Sequence, residues 1–215
     1  MRVVPLAICL VVSTMAEAQS IDGGTLSIRL AGREIGREDF SIHAGRQGAS
    51  TGSTVTSRVR FPTVRPSYTQ ESVVERTGDG SFSNMMVSYT SGRTSGRVIA
   101  EIARNVLRIH TASGGTEAIR ELPVPANMIG LADSAFSLYV LVAEQATGEE
   151  TRFSGVYPRG GRRVSFTARR EGNGSEATRI VLAGEINGTI WLDNTGHLNR
   201  IELPGSNLEI IRLRN

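Results

Sequence analysis

The sequence predicts a mainly β protein: a curved antiparallel sheet, half-barrel or β-roll, with one apolar helix packed on its concave side. Three observations carry this prediction. Apolar and polar residues alternate along most of the chain, glycine-rich breaks recur at hairpin spacing, and one segment alone changes to helical spacing.

The alternation is plain in "STVTSRVRF", where Val55, Val59 and Phe61 oppose Thr54, Thr56, Arg58 and Arg60. In "RRVSFTARR", Val164, Phe166 and Ala168 oppose Arg163, Ser165, Thr167 and Arg169, and "GTLSIRL" sets Leu26, Ile28 and Leu30 on one face. Successive side chains on a strand point to opposite faces, so these runs are antiparallel strands with one face buried and one solvated. Breaks at 45–52, 78–80, 114–115, 160–161 and 172–174 fall at hairpin spacing, too close for β-α-β crossovers.

The exception is "ADSAFSLYVLVAEQATG", with Leu131, Ala135, Leu138, Tyr139 and Val142 at helical spacing. Asp133 is the expected N-cap and Gly148 the expected stop. Residues 138–142 are apolar nearly all round, which demands burial on more than one side. The preceding "ELPVPANMIG" reads as the crossing loop, since Pro123 and Pro125 oppose a regular ladder.

The N-terminus reads as a Sec-type export signal over residues 1–18. Arg2 is followed by an apolar run over 3–12 and by Ala16-Glu17-Ala18 as a cleavage site. The run is shorter than the roughly 20 residues a bilayer span needs. Cys9 sits behind Ile8 and offers no lipidation site, so the mature chain, 19–215, is one β-rich domain with no cysteine and no disulfide. Periplasmic or secreted localisation is the expectation. Removing Arg2 and Glu17 leaves the net charge at +3, and every basic residue is arginine, the bias of a GC-rich bacterial genome. Near-balanced, scattered charge speaks against nucleic acid, which needs a concentrated basic face.

No motif in the sequence carries an enzyme signature. "GASTG" (48–52) matches the GxSxG pattern but leads into an alternating run instead of a helix, so it reads as a hairpin loop. His43, His110 and His197 stand alone, with no HxH, HxxxH or HExxH spacing, and no metal or cofactor is expected. Asp133-Ser134 reads as a helix start. The pairs Glu38/Asp39 and Glu149/Glu150 put their members on opposite strand faces. Asn173-Gly174-Ser175 and Asn187-Gly188-Thr189 match a glycosylation pattern inside glycine-rich turns. "GREIGREDFSI" and "GRTSGRVIAEI" share GRxxGR, which two similar hairpin entries explain; the functional alternative is an anionic-group site built from Arg33, Arg37, Arg93 and Arg97. In "IWLDNTGHLNRIEL", Asp193-Asn194-Thr195-Gly196 reads as a turn between two strands, with His197 exposed just past it. An enzyme is not expected.

The tail "GTIWLDNTGHLNRIELPGSNLEIIRL" resembles the C-terminal end of the DUF3108/DUF6134 group of exported bacterial proteins, in which an aromatic-aspartate strand turns into an "L-x-R-x-E-L" strand. The opening "LSIRLAGREIGREDFSI" and the apolar segment 133–142 fit the same order of elements. The resemblance implies a curved sheet similar in outline to periplasmic lipoprotein carriers, with a concave surface for a lipid-like ligand and no catalytic residues. On that reading Phe136, Leu138, Tyr139 and Trp191 are ligand-lining candidates. The alternative is a structural or protein-interaction module of the envelope, partnered by another envelope protein, with its cavity filled by its own helix. A gap beside the helix favours the first and complete burial favours the second. A free sheet edge also leaves dimerisation open.

Overall fold

The computed structural model describes residues 20–46, 49–172 and 177–214. The expected signal segment, Cys9 and Asn173-Gly174-Ser175 lie outside them. Within them are fifteen strands: β1 (Ser20–Leu30), β2 (Arg33–Arg46), β3 (Ala49–Phe61), β4 (Tyr68–Arg76), β5 (Phe82–Ser91), β6 (Thr94–Ala103), β7 (Val106–Ser113) and β8 (Thr116–Pro123) come first. After β9 (Met128–Gly130), a 3-10 turn (Ser137–Tyr139) runs directly into helix α1 (Val140–Gln145). The chain ends with β10 (Thr151–Tyr157), β11 (Arg162–Glu171), β12 (Thr178–Gly184), β13 (Gly188–Leu192), β14 (Leu198–Leu203) and β15 (Leu208–Arg212).

All fifteen strands share one sheet, ordered from β8 down to β1, then β15 down to β9. Two consecutive-hairpin meanders are therefore joined by the β1–β15 ladder, and β9 alone runs parallel to its neighbour, β10. This order forces curvature. Laid flat, fourteen inter-strand spacings would hold the two edges about 67 Å apart. Yet β8 and β9 are joined by residues 124–127 only, whose reach is about 18 Å. The sheet has to roll until its edges nearly meet.

Among the described residues the roll does not close through a ladder. Side chains bridge the seam instead: an Arg163 Nη2–H donates to the Pro123 carbonyl at 2.6 Å, and Arg120 Nη1 lies 3.5 Å from the Gly160 carbonyl. Strand β9 tucks inward beneath β5, where a Cβ on Gly130 would lie 2.5 Å from the Phe82 ring and 3.3 Å from Met85 Sδ. The expected crossing loop is thus shorter than "ELPVPANMIG". Pro123 ends edge strand β8, which tolerates a missing N–H donor on its open side, and residues 128–130 form β9.

Inward-facing residues of both meanders make one core, with Leu26, Ile28, Val55, Val59, Phe166 and Ala168 nearly or fully buried. Phe153 and Phe166, cross-strand partners on β10 and β11, stack at 5.6 Å between ring centroids. The helical segment fills the middle, as the sequence led us to expect, but it is shorter than 133–148. Ala132 and Ala135 form an isolated bridge with Ser134 left-handed at φ 69°, so the chain turns tightly there and the helical path starts only at Ser137. At the far end Ala146 is already extended.

Gly130→Ala is expected to lower stability by about 1–3 kcal/mol through overpacking of Phe82 and Met85. Urea denaturation checks this: the midpoint should fall with an unchanged slope.

Candidate functional site

The interior is where the sheet would present a binding surface, and side chains from three strands reach into it to hold the helix. Glu38 on β2 shares inward parity with Phe40 and Ile42 and is fully buried. Its Oε2 accepts the Phe136 N–H at 2.7 Å; its Oε1 accepts the Ser137 N–H at 3.0 Å, the Ser137 hydroxyl, and the Ser57 hydroxyl at 2.7 Å. These backbone N–H groups open the helical turn and have no intrahelical partner, so a strand carboxylate performs the task of an N-cap. Asp133, the expected cap, does not: neither the 3-10 turn nor α1 shows a side-chain cap of its own.

The other end is held from the opposite side of the roll. Arg170 on β11 donates from Nη2 to the Ala143 carbonyl at 2.6 Å and from Nε to the Ala146 carbonyl at 3.1 Å. A cation on the last carbonyls and an anion on the first amides both complement the helix dipole. Arg76 on β4 adds a third tie, an ion pair with Glu144 of α1, while also donating to Ser53 Oγ at 2.8 Å. The sheet thus grips its plug from β2, β4 and β11.

Burial pushes the Glu38 carboxyl up from its usual range, against the lowering pull of the serine hydroxyls and backbone amides. Burial likewise raises the Tyr139 hydroxyl well above the ordinary phenol value, with Tyr157 beside it adding to the shift. Leu138, Val142 and Ala143 are fully buried, and Phe136, the most exposed of the plug's large apolar side chains, is only 8% exposed. The void bounded by Gln70, Leu131, Asp133, Tyr157 and Arg159 has no room for a water-sized molecule. Two inward polar atoms on β4, Gln70 Nε2 and Ser72 Oγ, are buried without a hydrogen-bond partner.

Of the lining candidates, Phe136, Leu138 and Tyr139 are packed into this core. Trp191 is not among them. Ile190 and Leu192 point inward on β13, so Trp191 between them faces out, where the Arg200 guanidinium lies 5.3 Å from its ring. No single cavity can be lined by all four. The arginine site fares similarly. Arg33 and Arg37 lie on β2, Arg97 lies on β6 and Arg93 in the turn before it, with β3, β4 and β5 between, about 19 Å across the sheet. Arg37 pairs with Glu34 at 2.8 Å, and Arg97 lies against Met86 Sδ. The two clusters do not meet.

The histidines are equally dispersed, on β2, on β7 and at the β13–β14 turn. His110 Nε2 is 3.5 Å from the Glu117 carboxylate on the outer face. His197 Nδ1 is 2.9 Å from Thr195 Oγ1, at the turn. There Asp193 Oδ1 accepts the Thr195 N–H, the Thr195 hydroxyl and the His197 N–H, and Gly196 takes φ 87°. Desolvation pushes the Asp193 carboxyl up, but these hydrogen bonds outweigh it and hold it below its ordinary value. The serine of "GASTG" lies in β3, which continues to Phe61 with no helix following. Asn187 bonds both backbone groups of Gly184 and serves as a turn residue. Among the described residues, no group of three His, Cys, Asp or Glu could hold a metal ion.

No family model matches the sequence, and no curated protein matches it. Among solved structures, a DUF1089 family protein from Pseudomonas aeruginosa is similar, at 12% identity and a TM-score of 0.48, over 90% of this chain and 96% of that one. At that level the likeness carries no weight for fold or role, and the family it names differs from the DUF3108/DUF6134 group that the tail resembles.

Two predictions follow from this geometry. A carboxyl whose folded-state pKa lies above its unfolded value contributes stability that is complete below the unfolded pKa and lost as pH rises through the folded one. Wild type should therefore lose ground to Glu38→Gln as pH rises, and urea titrations across pH 4 to 8 would show the gap moving in favour of the glutamine. At the β13–β14 turn, Asp193→Ala should cost about 1–2 kcal/mol, because it strips three hydrogen bonds. His197→Ala should stay within about 0.5 kcal/mol, because its half-exposed ring makes one side-chain bond, to Thr195 at the turn; thermal denaturation of both variants gives the comparison.

Proposed function

We propose that this chain is an exported, non-catalytic protein-interaction module of the bacterial cell envelope, built on a rolled sheet whose interior is filled by its own helix. The observation that carries this reading is the plug, with its large apolar side chains buried and both ends held by side chains of the sheet. Export and a periplasmic location rest on the signal-like segment 1–18. Among the described residues no helix is long and apolar enough to cross a membrane. The dispersion of His43, His110 and His197 supports a role without catalysis.

Carriage of a lipid-like ligand, the other reading of a curved sheet, requires the plug to leave. Re-exposing Leu138, Val140, Leu141 and Val142 costs about 6–12 kcal/mol in apolar burial alone. That is of the order of the entire stability of an ordinary domain. The burial of these side chains supports an interaction module over a carrier, with binding at the outer surface as part of that reading.

The test is direct. Protein purified from its native envelope fraction, extracted with organic solvent and examined by mass spectrometry, should release no stoichiometric lipid, and fluorescent fatty acids should not bind saturably. A stoichiometric lipid would refute the plug-filled reading and restore the carrier.

A further inference from the structure

The outer face of the first meander carries a feature that neither the core nor the plug uses. Cross-strand register places Val73, Met86, Ile99, His110 and Ile119 opposite one another in a single row across β4 to β8. The row ends on β8, the edge of the sheet, whose second side has no strand partner. Ile119 there is 67% exposed, the most exposed large hydrophobic side chain among the described residues. Two positions to either side, on the same face, stand Glu117 and Glu121, with side chains 73% and 56% exposed. Among the described residues, the hydrogen bonds across the seam engage β8 at Arg120 and Pro123.

We infer that the β8 edge is a docking site for an extended segment of a partner protein with a basic–x–apolar–x–basic pattern, added as a sixteenth strand. This rests on the interaction-module reading and names the partner's chemistry. An exposed edge offers its unpaired N–H and C=O groups to a new strand, which supplies affinity, while side chains opposite the edge supply selectivity. An apolar residue opposite Ile119 would continue the row begun at Val73. Arginine or lysine two positions to either side would lie opposite Glu117 and Glu121, where opposite charges stabilise a cross-strand pair. Both carboxylates already have one neighbour on β7, with Arg108 bonded to Glu121 at 3.0 Å and His110 3.5 Å from Glu117, and a carboxylate can accept a second cation from the open side of the edge.

The same two carboxylates disfavour a second copy of this chain. Antiparallel self-pairing centred on Ile119 would set Glu117 of one copy against Glu121 of the other at both ends. Like charges directly opposite destabilise such a pair.

The experiment uses a fluorescent peptide, acetyl-Thr-Arg-Thr-Val-Thr-Arg-Thr-amide, and its counterpart with glutamate at both arginine positions, each titrated against the full chain by anisotropy. The basic peptide should bind saturably and shift the backbone amide resonances of residues 116–121, and the acidic peptide should not. Glu117→Arg/Glu121→Arg should weaken the basic peptide about tenfold and admit the acidic one. Ile119→Lys, which keeps both carboxylates, should also weaken the basic peptide. No binding, equal binding of both peptides, or resonance shifts away from β8 would overturn the inference. A protein cross-linked from envelope extract equally by wild type and by the charge-reversed variant would leave the interaction reading standing and remove the edge from it. Stoichiometric lipid in the interior would instead strike at the interaction reading itself.

Discussion

A single buried carboxylate sets the terms for this molecule. Glu38 has no cation among the four groups bonded to it; two backbone amides and two serine hydroxyls supply all its stabilisation. Placing a charge in a core is costly unless its hydrogen-bonding capacity is filled, and here it is filled by the start of the plug. Neither side is stable without the other. Without Glu38 the amides of Phe136 and Ser137 would be orphaned inside the roll; without the helical turn the carboxylate would be buried with one serine for company.

That mutual dependence explains why so short a helix exists. Six residues of α-helix cannot hold themselves together in water, and helices of this length owe their existence to tertiary contacts. Glu38 at one end, Arg170 at the other and Arg76 on Glu144 tie β2, β11 and β4 to one object. β11 lies in the second meander, far along the sheet from β2 and β4 in the first, so the plug cross-braces a roll whose edges share no ladder among the described residues. The interior is spent on stability. Charge and exposure remain on the outer face and at the β8 edge.

Much of the fold was legible in the sequence, because alternation reports burial directly: Val55, Val59, Phe166 and Ala168 all face the core as their parity demands. The degree of rolling was less so. It follows from joining the two edges through residues 124–127, which becomes apparent only once the strand order is known. The helix was placed correctly but overextended, because Asp133 has the right chemistry for a cap and the left-handed Ser134 that spoils it leaves no pattern. Glu38 and Arg170 were missed as plug contacts although parity pointed to both. Glu38 stands two residues from Phe40, and Arg170 two from Ala168, each on the buried face. Charge suggested solvent where position said core, and only a partner from a distant segment reconciles them. Trp191 erred the other way: its size suggested a cavity, while its neighbours Ile190 and Leu192 had already claimed the inward face.

The central claim is that the Glu38-held helix is a permanent part of the core and does not act as a lid. Amide hydrogen exchange at Phe136 and Ser137 tests this most directly, since their N–H groups bond only to the Glu38 carboxylate. If the plug opens only when the whole roll unfolds, both amides should exchange with the free energy of global unfolding, matching core amides such as those of Val55 and Phe166. Exchange at Phe136 and Ser137 several kcal/mol easier than in those strands would contradict the claim and make the plug a door.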